Sequence, residues 1–347
     1  MALHADNDSS VDISIIVPMH NSAKTIKECL KSILDSEFEG KREIIVVDDG
    51  SKDNSIELIK DLPVKIISQE NRGAASAKNQ GAKYASGEFI VFVDSDVIFS
   101  QDTLKKIHDI IKNEQYHYVA TRYSEYPANS AYIHKYKALH DYYFFYHMFY
   151  SKSNSDDLEY APIPLNGGVE AFKKKTFLEF GGYDETIKGA GVEREELFTR
   201  LRQKYHYVWN SGVILKHYFP DFRPLTRNYF YRAQGTLQLI KQRNYFPENF
   251  NKLKNRMIIA PITVISFFFS TLITIFFYSL VGYFLFTIPA IFCIYYVVIN
   301  RGFFSMAFQK HGFFFMMYTL IIHGFFSNVA ALSGFLTMIK GNKPGKP

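Results

Sequence analysis

The fold is decided by residues 89–96, which read FIVFVDSD, an apolar run that ends in two aspartates one residue apart. Five apolar residues in a row are typical of a strand that is buried on both faces of a sheet. A second run, EIIVV at 43–47, ends in Asp48 and Asp49. Ligands of open α/β sheets bind beyond the carboxyl ends of the strands, so the two acidic ends predict one shared site.

The acidic pairs also have a simpler interpretation, because aspartate favours turns and helix caps, and either pair alone would fit that role. Two pairs after two strands of one alternating unit favour a ligand site instead. Asp94 and Asp96 offer hard oxygen donors, which suit Mg²⁺ or Mn²⁺ held together with the phosphates of a nucleotide.

Strand and helix patterns alternate through the first hundred residues. Strands begin at Ile13, Glu43, Val64 and Phe89, and helical segments separate them, one of which is a short helix near 55–61. This alternation predicts an α/β domain with a mostly parallel sheet. The aromatic stretch that follows, at 131–150, fits either a packed core helix or an interfacial one, and the sequence leaves both open.

The end of the chain is predicted to cross a membrane. Residues 257–300 contain no Asp, Glu, Lys or Arg, and one helix of that length would measure about 66 Å, roughly twice the hydrocarbon thickness of a bilayer. This stretch therefore predicts two spans, at 258–279 and 283–300. The uncharged run 312–339 predicts a third transmembrane helix, at 313–338.

The charges around these spans predict their orientation. Basic residues gather just before the first span, at Lys241, Arg243, Lys252, Lys254 and Arg256. The positive-inside rule then places the preceding domain in the cytoplasm, as part of a multi-pass protein of the cell membrane, and anionic membrane lipids would attract the same residues. Three spans put the C-terminus outside, unless 303–311 and part of the third run form an interfacial segment.

Composition agrees with one large α/β domain followed by a membrane-bound tail. The net charge of +6 comes without a dense basic run interleaved with aromatics, which argues against nucleic acid as a partner. Cys29 and Cys293 fall in a soluble helix and in a predicted span, which fits a reducing compartment. The predicted parts are a polar tail, the α/β domain, amphipathic interfacial helices, the transmembrane region and a basic tail, at 1–10, 11–221, 222–256, 257–340 and 341–347.

Four short motifs, in this order and at this spacing, resemble the signature of family 2 glycosyltransferases. They are VPMHN at 17–21, VDDGS at 47–51, NRG at 71–73 with AKN at 77–79, and FVDSD at 92–96. The resemblance covers roughly residues 11–220. It implies the Rossmann-like GT-A fold, a nucleotide-diphospho-sugar donor with UDP favoured by its frequency in the family, a divalent metal ion (Mn²⁺ or Mg²⁺) and an inverting mechanism.

The resemblance also assigns roles to individual residues. Those implied to bind the nucleotide-sugar are Pro18, His20, Asn21, Asp48, Asp49, Arg72, Lys78, Asp94 and Ser95. Those implied to hold the metal are Asp96, Asp94 and His217. Those implied to face the acceptor are Asn166, Gly167, Gly168, Arg232 and Gln234. Simple solvation would also explain Arg72 and Lys78, and a hydrogen-bonded strand end would also explain His217.

The catalytic position departs from the pattern that the resemblance implies. Many family members carry an adjacent Glu-Asp pair at the start of the helix after a Gly-Gly-aromatic-Asp turn, and its Asp is the catalytic base. Here Arg194 falls at that Asp position, and a guanidinium cannot accept a proton. Either Glu193 or Glu195 would then be the base, or transfer activity has been lost. Acids at a helix start also have a structural role, because they favour the helix dipole.

These features predict an inverting, metal-dependent hexosyltransferase that acts at the cytoplasmic membrane face in cell-surface glycan assembly. It would transfer one sugar from a nucleotide-diphospho-sugar to a lipid-linked or membrane-proximal glycan acceptor. One alternative is a membrane-anchored nucleotide-sugar-binding scaffold without turnover, for which Arg194 is the only argument. Another is a processive polysaccharide synthase, although three spans would form a thin conduit.

Overall fold

The structure, a computed structural model, consists of two units, the first ending at Phe219 and the second beginning at Pro220. The residues that it describes are 11–147, 157–158, 168–187, 192–201, 204–205, 207–243, 291 and 293–340. The first unit is built on a sheet whose described strands are β1 (Ile13–Met19), β2 (Arg42–Asp48), β3 (Lys65–Ser68), β4 (Phe89–Val93), β5 (Val97–Ile98), β6 (Tyr118–Tyr123), β7 (Asp157–Leu158), β8 (Val169–Lys173) and β9 (Tyr207–His217).

The strands lie in the order β3-β2-β1-β4-β8-β6-β9-β5, and β7 pairs with β9. The first four are parallel, so that Ile15 of β1 lies between Ile44 of β2 and Val91 of β4. Beyond β4 the sheet is mixed, because β8 runs antiparallel to both β4 and β6. The predicted α/β fold class is confirmed, while parallel pairing is limited to the first four strands and to β6 with β9.

Helices cover both faces of this sheet. They are α1 (Ile26–Leu34), α2 (Ala74–Tyr84), α3 (Thr103–Ile111), α4 (Tyr132–Asp141) with a π-helix (Tyr142–His147), α5 (Lys174–Glu179) and α6 (Glu193–Leu201). Successive strand residues face opposite sides, so Ile15 packs in one core with α1 and α3, whereas Ile16 packs in the other with α2, α5 and α6. Burial of each such side chain contributes roughly 1.5–3 kcal/mol.

The predicted helix near 55–61 is wrong, because this segment forms turns. Its backbone hydrogen bonds alternate in span. Leu58 N donates to Asn54 O at 3.2 Å, whereas Ile59 N donates to Ile56 O at 3.1 Å. An α-helix needs a continuous ladder of four-residue bonds, so a segment of this length closes as separate turns instead.

The second unit contains the helices α7 (Phe222–Arg243), α8 (Arg301–His311) and α9 (Phe313–Lys340), and residues 293–299 are also helical. Helix α7 runs parallel to the second half of α9. Phe222 contacts Phe325 at a ring distance of 5.2 Å, and further along both helices Ser333 Oγ donates to Phe230 O at 2.5 Å. The predicted interfacial segment 222–256 is thus one helix as far as Arg243, and its remainder lies outside the described residues.

One helix in the described part of the chain is long and apolar enough to cross a membrane, over Phe313–Ser333 of α9. It coincides with the third predicted span. The first predicted span, 258–279, lies outside the described residues. The second, 283–300, is described only at 291 and 293–300, where it is helical up to residue 299.

Two glycines form the turn that precedes α6. Gly181 and Gly182 both have positive φ, at 74° and 71°, a conformation that costs other residues free energy. A Cβ at Gly182 would also lie 2.5 Å from Asn79 Oδ1, whereas a Cβ at Gly181 would meet nothing within 4 Å. We expect Gly181→Ala to lower the free energy of unfolding by about 1–2 kcal/mol, the left-handed backbone cost, and Gly182→Ala to lower it further. Denaturant unfolding of both variants measures the difference, and equal losses would contradict the steric part.

Candidate active site

At the end of β2, Asp49 holds the loop that leads into α2. Its carboxylate is buried and accepts hydrogen bonds from Arg72 N and Gly73 N, both at 2.8 Å, and from Gln69 Nε2 at 2.7 Å. Asp48 accepts a bond from Ser51 N at 3.2 Å. Three donors leave the Asp49 carboxylate with little capacity for a ligand, so its contribution is to fix the loop beside the site.

The loop after β1 forms the adjoining wall. His20 Nδ1 donates to Asp49 O at 2.8 Å, and a carbonyl can only accept, so Nε2 is the acceptor for the Asn21 and Asn71 amides. His20 is exposed. Ser22 Oγ meets Ser95 Oγ at 2.8 Å, which joins this loop to the end of β4.

Two candidate metal ligands meet beyond β4. His217, at the end of β9, places Nε2 at 3.1 Å from Asp96 Oδ1, and Tyr218 N donates to Asp96 O at 2.9 Å. The rings of Tyr123 and Phe219 flank His217 at 4.5 Å each. His217 Nδ1 and Asp96 Oδ1 are buried and make no hydrogen bond within the described residues. Asp96 Oδ1 thus lies beside the imidazole Nε2, while the other ring nitrogen, Nδ1, faces away from the carboxylate.

Arg194, where the sequence led us to expect a base, links two carboxylates. Its Nη2 donates to Asp94 Oδ2 at 2.6 Å, and its Nε lies 3.0 Å from Glu170 Oε2. The second contact is an ion pair without the angle of a hydrogen bond. The guanidinium side chain is 11% exposed. Arg194 therefore joins the end of β4, the middle of β8 and the start of α6.

Glu170 is the residue that the sequence reasoning missed. It is buried within β8 and accepts hydrogen bonds from the phenols of Tyr118 and Tyr183, both at 2.9 Å, in addition to its pair with Arg194. The available signal was a glutamate inside the apolar run VEAF, since a buried charge requires partners. Its position opposite Arg194 could not be read from the sequence.

Lys78 connects Asp94 to the candidate base. Its ammonium lies 3.5 Å from Glu193 Oε1 and 3.8 Å from Asp94 Oδ1, and its side chain is 1% exposed. It also lies over the ring of Tyr183, 5.0 Å from the centroid. Lys78 is thus a buried cation between two carboxylates, so the alternative of simple surface solvation is wrong.

Opposite charges set the ionisation of this cluster. Burial alone would raise the pKa of Asp94, but Arg194 and Lys78 outweigh it and hold the pKa below its usual value. Burial likewise opposes the charge of Arg194, yet Asp94 and Glu170 keep its pKa well above the usual range. Burial, aided by Glu170, raises the pKa values of Tyr118 and Tyr183, so both phenols remain hydrogen-bond donors.

The donor set fits a divalent ion only as an open site. No three His, Cys, Asp or Glu side chains in the described part of the chain gather closely enough to hold a metal by themselves. Asp94 faces Arg194 and Lys78, which leaves Asp96 and His217 as the pair with free capacity. Mg²⁺ and Mn²⁺ commonly take few protein ligands and complete their coordination with phosphate oxygens and water, so two ligands suffice.

The remaining predicted residues have mixed placements. Arg72 is 62% exposed and pairs with Glu185 at 3.0 Å. Gly168 has φ 67° and its carbonyl accepts a hydrogen bond from Asp94 N at 2.9 Å, so β8 begins at the site.

The other predicted residues are placed only by their element. Glu195 follows Arg194 on α6, and Arg232 and Gln234 lie on α7 in the second unit. Pro18 lies within β1. Asn166 and Gly167 lie outside the described residues.

Replacement of Arg194 tests the charge balance. We expect Arg194→Gln to cost less than the roughly 3–5 kcal/mol of a fully buried broken pair, because Asp94 is 31% exposed and the buried Glu170 keeps the hydrogen bonds from two phenols. The folded pKa of Asp94 lies below its usual 3.8, so the lost stabilisation is fully present above about pH 4 and fades as the pH falls through the lowered pKa. Denaturant unfolding between pH 7 and pH 3.5 measures this. The difference in the free energy of unfolding between the wild type and Arg194→Gln should become smaller as the pH falls.

The matched control is Arg72→Gln, which breaks an exposed pair and should change stability by about 1 kcal/mol or less at any of these pH values. A deficit in Arg194→Gln that stays constant from pH 7 to pH 3.5 would contradict the role given to Asp94.

Comparison with known proteins relates part of the chain to a known family. Residues 14–173 match the family described as Glycosyl transferase family 2. Glycosyltransferase GlyG of Streptococcus pneumoniae serotype 4 is 38% identical over 120 residues, which are 33% of this chain and 40% of GlyG. Poly-beta-1,6-N-acetyl-D-glucosamine synthase of Staphylococcus aureus (strain COL) is 37% identical over 110 residues, 29% of this chain and 26% of the synthase. The chain therefore spans less than half the length of these curated relatives.

A solved structure resembles the whole chain. The mannosyltransferase PcManGT from Pyrobaculum calidifontis, in complex with GDP-Man and Mn²⁺, superposes with a TM-score of 0.56 at 19% identity, covering 94% of this chain and 88% of that one. At this identity the likeness concerns the fold. Residues 14–173 are thus similar to glycosyl transferase family 2, and the α/β unit has a GT-A-like fold.

Proposed function

We propose that this chain is an inverting, metal-dependent glycosyltransferase that transfers a sugar from a nucleotide-diphospho-sugar to a lipid-linked or membrane-proximal acceptor. The observation that carries the proposal is the contact between Asp96 and His217 beside Asp94 at the carboxyl edge of the sheet, where His217 Nε2 lies 3.1 Å from Asp96 Oδ1 and this oxygen makes no hydrogen bond within the described residues. PcManGT, described in complex with GDP-Man and Mn²⁺, supports a nucleotide-sugar and a metal at such a site.

The donor would lie along the ends of β1, β2 and β4. The exposed His20 ring offers a stacking face for the base, and Asp48, at the end of β2, offers an acceptor for ribose hydroxyls. Asn21 and Ser95 line the same loops, held by hydrogen bonds to Ser51 and Ser22. UDP is the nucleotide favoured by the resemblance, whereas PcManGT is described with GDP-Man.

Asp96 and His217 would hold Mn²⁺ or Mg²⁺ through an oxygen and a nitrogen. When bound, such an ion offsets the negative charge that develops on the leaving nucleoside diphosphate. Asp94 would act indirectly and not as a ligand, because Arg194 and Lys78 hold its carboxylate next to Asp96 and His217. The buried Lys78 ammonium adds a fixed positive charge to the same edge, and fixed charges in a site of low dielectric stabilise developing anions strongly.

The chemistry requires a carboxylate to accept the proton of an acceptor hydroxyl. The hydroxyl oxygen attacks the anomeric carbon from the face opposite the diphosphate, the bond to the diphosphate oxygen breaks, and the configuration inverts. Glu193 is the preferred base and Glu195 the second choice. Both lie in the first turn of α6, after the turn formed by Gly181 and Gly182. Arg194 between them orients α6 through its two carboxylate partners.

The acceptor would approach the site from the start of β8. Gly168 brings the backbone of β8 to the site without a side chain, and Asn166 and Gly167 precede it in the sequence. Arg232 and Gln234 on α7 would contribute polar contacts to the acceptor. The synthase relative, whose name describes a poly-N-acetylglucosamine product, supports a role in cell-surface polysaccharide assembly, and processive synthesis remains an alternative product mode.

The membrane location belongs to the same proposal. Helix α9 supplies one apolar segment of spanning length, and the uncharged run 257–300 supplies the length for two more. The basic residues at the end of α7 favour a cytoplasmic catalytic unit in a multi-pass protein. Helix α7 precedes the first predicted span and packs against the second half of α9, which favours the alternative in which 303–311 and part of the third run are interfacial and the C-terminus is not outside.

A scaffold without turnover is the second candidate function, favoured by one contact, the occupation of Asp94 Oδ2 by Arg194. Incubation of the purified full chain with Mn²⁺ and a panel of nucleotide-sugars, with and without lipid extract, distinguishes the two. Release of nucleoside diphosphate that increases with lipid supports transfer. Tight donor binding without release under any condition supports the scaffold.

Asp96→Asn tests the metal assignment. The substitution removes one charge from a ligand that is 37% exposed, so we expect the fold to persist and the Mn²⁺ dependence of donor binding to disappear. Calorimetric titration of a nucleotide-sugar with and without Mn²⁺ measures this. Asp109→Asn, at a surface acid on α3, is the matched control, and unchanged Mn²⁺ dependence in Asp96→Asn would refute the assignment.

Glu193→Gln tests the base. We expect turnover to fall by about 10²–10⁴-fold, the usual contribution of general base catalysis, while donor affinity changes little because Asp96 and His217 are untouched. The measurement is kcat together with the donor Kd, and Glu195→Gln is the matched variant two residues along. Full turnover in Glu193→Gln with a loss in Glu195→Gln would transfer the role to Glu195.

A further inference from the structure

The second unit contains an open groove of about 450 Å³ between α7 and α9. One part of its wall is basic and polar, with Arg223, Thr226 and Arg227 on successive turns of α7. The other part is apolar, with Phe230 on α7 and Val329 and Leu332 on α9. The groove is therefore amphiphilic along its length, with the charge at the beginning of α7.

The two arginines carry charge that the described residues do not neutralise. Arg223 and Arg227 are exposed, and neither forms an ion pair with a carboxylate in the described part of the chain. Helix α7 contains no Asp or Glu between Phe222 and Arg243. The Arg227 guanidinium lies over the ring of Tyr231, 5.5 Å from its centroid, which orients it without cancelling its charge.

The position of the groove along α9 indicates what surrounds it. Val329 and Leu332 belong to the last turns of the apolar segment Phe313–Ser333. A guanidinium in the hydrocarbon layer is costly, so two arginines beside these turns place this part of α9 at the level of the lipid headgroups. Phosphates are the anions present at that depth, and apolar acyl chains begin there.

We propose that the α7–α9 groove binds an anionic phospholipid, with its headgroup phosphate on Arg223 and Arg227 and the start of an acyl chain against Phe230, Val329 and Leu332. Two guanidiniums suit a phosphate because each presents a planar fork of donors. The exposed Leu332, at 56%, and the open apolar wall would then be covered by lipid. The site does not depend on the proposed transfer reaction, since all its residues lie in the second unit.

Native mass spectrometry of the full chain tests the proposal. The protein is purified in a nonionic detergent and mixed with equal amounts of phosphatidylglycerol and phosphatidylcholine, with no donor sugar present. We expect selective retention of phosphatidylglycerol, and a fall of about tenfold or more in the retained fraction in the double variant Arg223→Gln with Arg227→Gln, since each basic residue near a surface contributes about a factor of five.

Three matched measurements separate the sources of binding. Arg301→Gln changes an exposed arginine of α8 that does not line the groove, and it should retain the lipid. Leu332→Trp fills the apolar part without changing the charge, and it should weaken retention. Inorganic phosphate at the lipid concentration should not displace the lipid. Circular dichroism and thermal melting establish that each variant is folded.

Several outcomes would overturn the proposal. Equal retention of the two lipids, or a double variant that binds as the wild type does, removes the headgroup site. A loss in Arg301→Gln as large as in the double variant indicates the diffuse charge of the second unit rather than the groove. Displacement by phosphate with no effect of Leu332→Trp indicates a site for free anions. Transfer activity without selective lipid retention would remove this inference and leave the proposed function intact.

Discussion

The contact between Arg194 and the carboxylates of Asp94 and Glu170 is the constraint on which the site depends. A buried charge without a partner costs several kcal/mol, whereas a pair with good geometry approximately offsets its own desolvation. The residues cannot therefore be considered one at a time. Asp94 is held in place by its ion pair with Arg194. Glu170 can be buried inside β8 because Arg194 pairs with its charge and two phenols donate hydrogen bonds to it.

This constraint divides the acidic residues of the site into two groups. Asp49 and Glu170 are buried and satisfied by three or more partners, so they hold loops and helices in place. Asp96 retains unused capacity next to His217, and Glu193 faces a single ammonium. A carboxylate can take part in chemistry only if its lone pairs are not already committed to the fold. The second group is therefore where we place metal binding and proton transfer.

The sequence was sufficient for the features that depend on local pattern. The strands β1, β2 and β4 follow from apolar runs, and the acidic ends of β2 and β4 follow from the rule for parallel sheets. Long-range pairing could not be predicted. The antiparallel insertion of β8 between β4 and β6 places Glu170 opposite Arg194, and no local signal specifies that partner. The sequence allows Lys78 to be a surface residue, because its partner Glu193 lies more than a hundred positions later in the chain.

The arginines of the two units illustrate how context determines the role of one residue type. Arg194 is 11% exposed and forms ion pairs with two carboxylates, so its charge is neutralised within the protein. Its role is to position Asp94 and the start of α6. Arg223 and Arg227 are exposed on a helix without acids, beside an apolar wall, so their charge is available to an external anion. Guanidinium suits both roles because it remains charged in either setting. What distinguishes them is whether a carboxylate lies within reach, which is a property of the fold and not of the residue.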